Sequence, residues 1–260
     1  MRQIKVMIFV LYIQLLHESC TKETTAVRPQ PVSSITVVNA VVGSSPIMVD
    51  FNGNSTVSSY YSASQKIGYS SFYEFSVASG TVPFSAFQLS DTLTPIFKVG
   101  DKNNGIVLDP AGIYSLFLCG QLESGLPIDT LFTADKLPYH PPTDSSIGIR
   151  FVNLSPGSNP ISVNIQGQPN GSEIPNLPYK GITSFKNYSA GYAVSKYIFE
   201  LRDVNSGLIL GKYTMNGINN GAINTSNNLY RFRNFTIVLK GLSGVTSGSA
   251  AQGIFLVNNY

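Results

Sequence analysis

Ile35–Gly53 reads ITVVNAVVGSSPIMVDFNG and Ile149–Gly167 reads IRFVNLSPGSNPISVNIQG. The two stretches align without a gap at an offset of 114, with nine of nineteen positions identical: Ile35/Ile149, Val38/Val152, Asn39/Asn153, Gly43/Gly157, Ser44/Ser158, Pro46/Pro160, Ile47/Ile161, Val49/Val163 and Gly53/Gly167. Self-similarity at a fixed spacing marks a duplicated structural unit. The match extends outward. Gly68-Tyr69-Ser70-Ser71-Phe72 corresponds to Gly181-Ile182-Thr183-Ser184-Phe185, Phe87–Asp91 to Phe199–Asp203, and Tyr114–Gly120 to Phe235–Gly241. Length differences fall between these blocks, where loops belong. The duplication predicts two domains, residues 34–137 and 146–260, joined by a linker over 138–145 that Pro138, Pro141 and Pro142 make short and stiff.

Within each unit the segments are short and rich in Val, Ile, Phe, Tyr and Thr, and clusters of Gly, Pro, Asn and Ser separate them, which predicts strands. Ile47, Val49 and Phe51 alternate with Met48, Asp50 and Asn52, and Ile161, Val163 and Ile165 alternate with Ser162, Asn164 and Gln166. That period predicts one buried and one solvated face. Tyr114, Leu116 and Leu118 share one face, with Ser115, Phe117 and Cys119 opposite. Turns are expected at Asn103-Asn104-Gly105, Pro110-Ala111-Gly112, Asn205-Ser206-Gly207 and Asn219-Asn220-Gly221. No helical period stands out after Cys20. Six to eight strands per unit predict an all-β fold of two tandem immunoglobulin-like β-sandwich domains, with a small barrel as the alternative.

Arg2 and Lys5 precede an apolar run, Val6–Leu16, too short for the roughly 20 residues of a spanning helix and of the length of a signal peptide. The following Leu16-His17-Glu18-Ser19-Cys20 resembles a bacterial lipoprotein signal, although His17 and Glu18 stand where small or apolar residues are usual. The resemblance implies a signal peptide over residues 1–19, acylation of Cys20, and a polar tether over 20–33. Several acyl chains at about 0.8 kcal/mol per buried methylene make a stable anchor. Charged residues are only 12 % of the chain, about half the ~25 % of ordinary globular domains, and the net charge is +3. So weak and dispersed a charge argues against nucleic acid as a partner.

The paired pattern I-x-x-V-N-x-x-x-G-S-x-P-I-x-V, the Phe-x-Leu-x-Asp block and the closing strand before Gly120 and Gly241 resemble the domain of unknown function 4397. That domain often occurs in tandem in envelope lipoproteins of Gram-negative bacteria. The second copy is closer to the family pattern; the first has Ala40-Val41-Val42 where Leu154-Ser155-Pro156 stands in the second. The resemblance spans nearly all of residues 34–260. It implies sandwich domains and a lipid-anchored cell-envelope location, the outer membrane in particular, and it assigns no catalytic residue.

Candidate chemical groups are few. His140 is the one histidine after Cys20, so a triad or a histidine–metal site would require it, and in its linker it reads as solvated. Cys119 reads as a buried, inert strand thiol. Asp91 and Asp203 occupy equivalent positions and read as turn caps in preference to a glycosidase pair. Asp101–Gly105 reads as a hairpin turn in preference to a calcium loop. No catalytic, cofactor-binding or metal-binding residue is assigned and no cofactor is expected. Thr92 and Thr130, in Asp-Thr-Leu contexts, resemble O-glycosylation acceptors of some Gram-negative envelopes. Tyr60, Tyr61, Tyr69 and Tyr73, set among hydroxyl residues, form a candidate ligand surface. These features favour a non-enzymatic envelope protein serving adhesion, an adaptor role or structure, anchored in the membrane through Cys20. The alternative is a glycan-binding accessory lipoprotein for polysaccharide capture, and a hydrolase with an atypical site ranks last.

Overall fold

The structure, a computed structural model, describes residues 30–53, 65–101, 104–122, 128–221 and 226–259. The signal peptide, Cys20, most of the tether, and Tyr60 and Tyr61 lie outside the described residues. The first repeat comprises β1 (Val32–Asn39), β2 (Ile47–Asp50), β3 (Ser71–Ala78), β4 (Gly80–Val82), β5 (Phe84–Gln88), β6 (Asp91–Val99), β7 (Ile106–Leu108), β8 (Ile113–Cys119) and β9 (Asp129–Ala134). The second comprises β10 (Ser146–Asn153), β11 (Ile161–Ile165), β12 (Ile174–Leu177), β13 (Lys186–Ser189), β14 (Lys196–Asp203), β15 (Ile209–Asn216), β16 (Asn234–Lys240) and β17 (Gly253–Asn258). The fold is all-β, with no α-helix among the described residues.

The duplication in sequence is a duplication in topology. One sheet runs β3-β1-β8-β9 and its counterpart β13-β10-β16-β17; the second sheet of each repeat runs β2-β5-β6 and β12-β11-β14-β15. The central pairs β1/β8 and β10/β16 are parallel and in equivalent register, Val38 opposite Phe117 and Val152 opposite Val238. In the first repeat the place of β12 is taken by an isolated bridge between Ile47 and Ile67. The first strand begins at Val32, two residues before the expected start of the repeat.

Each repeat closes around its own core. Ile35, Val37, Phe84, Tyr114, Leu116 and Leu118 fill the first, and Ile149, Phe151, Phe199, Phe235, Ile237 and Leu239 the second. A third cluster is shared: Val38, Ala40, Phe117 and Cys119 of the first repeat meet Val152, Leu154, Val238 and Val257 of the second. Residues 31–260 accordingly form one compact unit.

This shared cluster covers the second face of β1 and β10, so both strands are buried on two sides along most of their length. A strand covered on both faces has no solvated side to mark with polar residues. Tyr114, Leu116 and Leu118 do face one core, while Phe117 and Cys119 face the other repeat. The expectation of a solvated face on β2 and β11 is corrected. Met48 is fully buried, and Ser162 and Asn164 are buried as well, Asn164 donating to the Glu200 carboxylate and accepting from Arg202.

Candidate functional site

The invariant part of the duplicated motif builds a turn. Asn39 Nδ2 donates to Ile67 O (3.1 Å) and Ser44 Oγ (3.2 Å), and its Oδ1 accepts from Val41 N (3.1 Å). Asn153 does the same with Leu177 O (3.3 Å), Ser158 Oγ (3.1 Å) and Ser155 N (3.1 Å). The intervening Gly43 and Gly157 sit at φ 82° and 72°, a region that favours glycine. These residues are spent on holding the loop after β1 or β10, and both asparagines are fully buried.

Asp91 and Asp203 are likewise caps. Asp91 Oδ1 accepts from Leu93 N (3.0 Å) and Thr94 N (3.1 Å), bonds that lower its carboxyl below the ordinary aspartate range. Asp203 Oδ1 accepts from Ser206 N (2.7 Å), and this backbone bond, with a side-chain bond from Asn159 Nδ2 to Oδ2, lowers it in the same way. Asp101 and Asn104 close a hairpin turn through paired backbone bonds.

The principal polar site lies where the repeats meet. Arg150, on β10, donates from Nη1 to Asp135 Oδ1 (2.6 Å), from Nη2 to Ser115 Oγ (2.8 Å) and from Nε to Thr236 Oγ1 (2.8 Å). Its guanidinium stacks over Phe185 at 4.5 Å. Ser115 donates to Asp135 Oδ2 (2.6 Å) and Thr236 donates to Asn259 Oδ1. Because Ser115 and Thr236 are repeat equivalents, as are the residues following β9 and β17, the cluster is pseudosymmetric except at its centre. There the second repeat supplies Arg150 where the first has Thr36. Burial lowers the Arg150 pKa, and Asp135 acts against that shift.

A second bridge closes the other end of the joint. Tyr179 Oη donates to Asp129 Oδ2 (3.1 Å) and contacts Cys119 Sγ (3.5 Å), and Lys180 pairs with Asp129 Oδ1 (2.9 Å). Two clefts flank the joint at pseudo-equivalent places. One, about 300 Å³, is lined by Thr133, Ala134, Lys136, Arg150, Thr183 and Phe185; the other, about 370 Å³, by Phe72, Glu74, Arg233, Asn234 and Asn258.

The expectation of a solvated His140 is corrected. Its side chain is 2 % exposed. Nε2 bonds Asn234 Oδ1 (3.0 Å) and Nδ1 bonds Ser146 Oγ (2.8 Å). Asn234 Nδ2 in turn donates to Pro138 O (3.2 Å), so its amide is oriented with the oxygen toward the ring. The linker is thus docked on β10 and β16, because two fixed side-chain partners offset the cost of burying the imidazole.

Cys119 is fully buried, and burial pushes its thiol up to about 11. Tyr69 and Tyr73 do not share one exposed surface. Tyr69 lies under Lys240 of the second repeat, with Nζ 4.6 Å from the ring centre, whereas Tyr73 is exposed on β3 and packs on Phe75 at 4.9 Å. Thr92 is half-buried beside the exposed Leu93 at the β5–β6 hairpin; Thr130 is paired opposite Leu118 within β9. No group of three metal-ligating side chains occurs among the described residues.

Sequence reasoning missed Arg150, Asp135 and the docked His140. The available signal was a lone arginine in the apolar run Ile149-Arg150-Phe151-Val152, at a position where the other repeat carries threonine.

No family model and no curated protein matches the chain. Among solved structures, the chain is similar to the C-terminal domain of AlgF from P. aeruginosa, with 19 % identity over 40 % of this chain and 98 % of that one, at a TM-score of 0.27.

Proposed function

We propose that this chain is a non-enzymatic, lipid-anchored envelope protein. In this reading two immunoglobulin-like sandwich repeats of the domain-of-unknown-function-4397 type act as one rigid adhesion, adaptor or structural module. The observation that carries it is the buried joint: the shared apolar cluster and the Arg150–Asp135 pair fuse the repeats into one body. A fused pair keeps the loops of both repeats at a fixed spacing, which lowers the ordering cost of binding a partner. The duplicated polar residues, Asn39, Asn153, Asp91 and Asp203, are engaged in turns, which fits a scaffold whose recognition comes from loop shape.

Crosslinked affinity capture from intact envelopes, with tagged full-length protein and a Cys20→Ala control, tests this reading. A stoichiometric protein partner that is lost in the control supports it; turnover of a substrate or recovery of polysaccharide alone overturns it. The glycan-binding alternative would rest on the tyrosine-rich segment. Tyr69 and Tyr73 face different ways, so no single described surface favours that alternative; calorimetry against a polysaccharide panel measures it directly. O-glycosylation of Thr92 and Thr130 belongs to the same envelope reading, and an intact mass equal to the unglycosylated chain would remove it.

A further inference from the structure

Both repeats point the same way. Arg150, midway along β10, meets Ser115 in the first half of β8, and Asn259, beyond β17, also donates to Ser115 (3.4 Å). At the far end of β8, Cys119 meets Tyr179, whose neighbour Lys180 donates its N–H to Asn153 O at the far end of β10. The starts of β1, β8, β10 and β16 therefore gather at one end of the body, and Pro31, where the chain from the N-terminal segment enters, lies at that end against Ser79.

That end carries five large, exposed side chains, two of them tyrosines. Tyr139 is 81 % exposed, Tyr192 75 %, Leu229 61 % and Val32 55 %. Phe232 is 41 % exposed and held at φ 63°, with its N–H bonded to Ser146 O. Register places each of them there: Val32 opposite Ala78 on β1, Tyr139 in the docked linker, Tyr192 just after β13, and Leu229 and Phe232 just before β16. Large side chains this exposed are costly in water, and tyrosine suits a boundary between an apolar and a wet phase.

The charges at the same end are mixed, with cations free of carboxylates. Lys136, Lys196, Arg231 and Arg233 form no ion pair among the described residues; Arg231 and Arg233 donate only to backbone carbonyls of Ala190, Asn220 and Leu229. The acidic groups there are Asp101, which caps its own turn, Asp109, Asp135, paired with Arg150, Asp144, engaged by Ser146, and Glu74, which shares a cleft with Arg233.

We propose that this end of the body is a membrane-facing surface that seats on anionic phospholipid, with Tyr139 and Tyr192 at the level of the headgroups and the arginines and lysines meeting lipid phosphates. This inference rests on the lipid-anchored reading of Cys20. Ten residues, Thr21–Gln30, separate that cysteine from Pro31, a contour of at most about 35 Å. A tether so short, entering at the aromatic and basic end, keeps that end near the bilayer. Exposed tyrosines are interfacial anchors, and basic side chains near an anionic surface add electrostatic attraction. The opposite end presents Leu93, Val204, Leu208 and Ile209 on hairpins capped by Asp91 and Asp203, carries none of the exposed tyrosines among the described residues, and is left free for a partner.

The test uses the full-length protein recovered from membranes and reconstituted in vesicles containing phosphatidylglycerol. Single nitroxide labels are placed by Tyr139→Cys, Tyr192→Cys and, at the opposite end, Leu208→Cys; Cys119 is buried and stays unlabelled. Collision with a water-soluble nickel chelate is expected to fall severalfold at positions 139 and 192 on the vesicles and to stay unchanged at 208. Equal accessibility at all three positions, or shielding at 208 alone, overturns the proposal. The intact mass of the same preparation separately reports acylation of Cys20. A failed anchor reading is thereby distinguished from a failed surface.

Discussion

Arg150 and Asp135 form an ion pair of 2.6 Å across the two repeats, with their side chains only 3 % and 1 % exposed. Ser115, Thr236 and Asn259 complete the surroundings, so neither charge is left without hydrogen-bonding partners. Removing one partner leaves the other as an unpaired buried charge, which typically costs about 3–5 kcal/mol. Arg150→Met and Asp135→Leu are each expected to destabilise the protein by that order in urea denaturation. The double variant should recover much of the loss, because no buried charge remains. Equal, additive losses would show that the two groups do not act as a pair.

The two buried asparagines make a second, symmetrical prediction. Asn39→Ala and Asn153→Ala each leave a buried backbone N–H, that of Val41 or Ser155, without its acceptor. Each buried group left unsatisfied costs about 1–3 kcal/mol. Both variants should lower the denaturation midpoint by similar amounts, and a loss confined to one would mean that the turns are not equivalent.

Glu200 makes the stability depend on pH. Lys212 at 2.8 Å, with Arg202 at 2.6 Å and Asn164 at 3.1 Å, holds its carboxyl down at about 2, below the ordinary value of 4.5. A carboxyl lowered in the folded state contributes stability above its unfolded pKa and loses it as pH falls through the folded one. Stability measured against pH is therefore expected to drop between about 4.5 and 2, and Glu200→Gln should flatten that drop. An unchanged slope in the variant would assign the acid sensitivity to other carboxyls.

His140→Ala removes a ring that joins Asn234 to Ser146 and fixes the linker. The loss of two buried hydrogen bonds should cost about 2–3 kcal/mol. Amide exchange over residues 138–148 should rise well before global unfolding does. If exchange there stays slow, the prolines alone hold the linker.

Much of the architecture was legible locally. The repeat, the strand content and the turn positions follow from residue type and spacing: Asn39 and Asn153, Gly43 and Gly157, and Asp91 and Asp203 recur because each makes bonds within a few residues or to one neighbouring strand. Alternation failed on β2 and β11. A period of two reports whether one face of a strand is covered, and here long-range partners cover both: Met48 is fully buried, and Asn164 meets Glu200 thirty-six residues away.

The sequence by itself determined a duplicated all-β chain in which each copy has its own core. Only the tertiary structure decided that the two copies share a third core, that Arg150 and Asp135 are buried between them, and that His140 is docked against Asn234 across a separation of ninety-four residues. The physical reason is that backbone turns and strand faces depend on neighbours along the chain. Burial of a charge or an imidazole depends on which distant surface closes over it, and that choice is made by packing between the repeats.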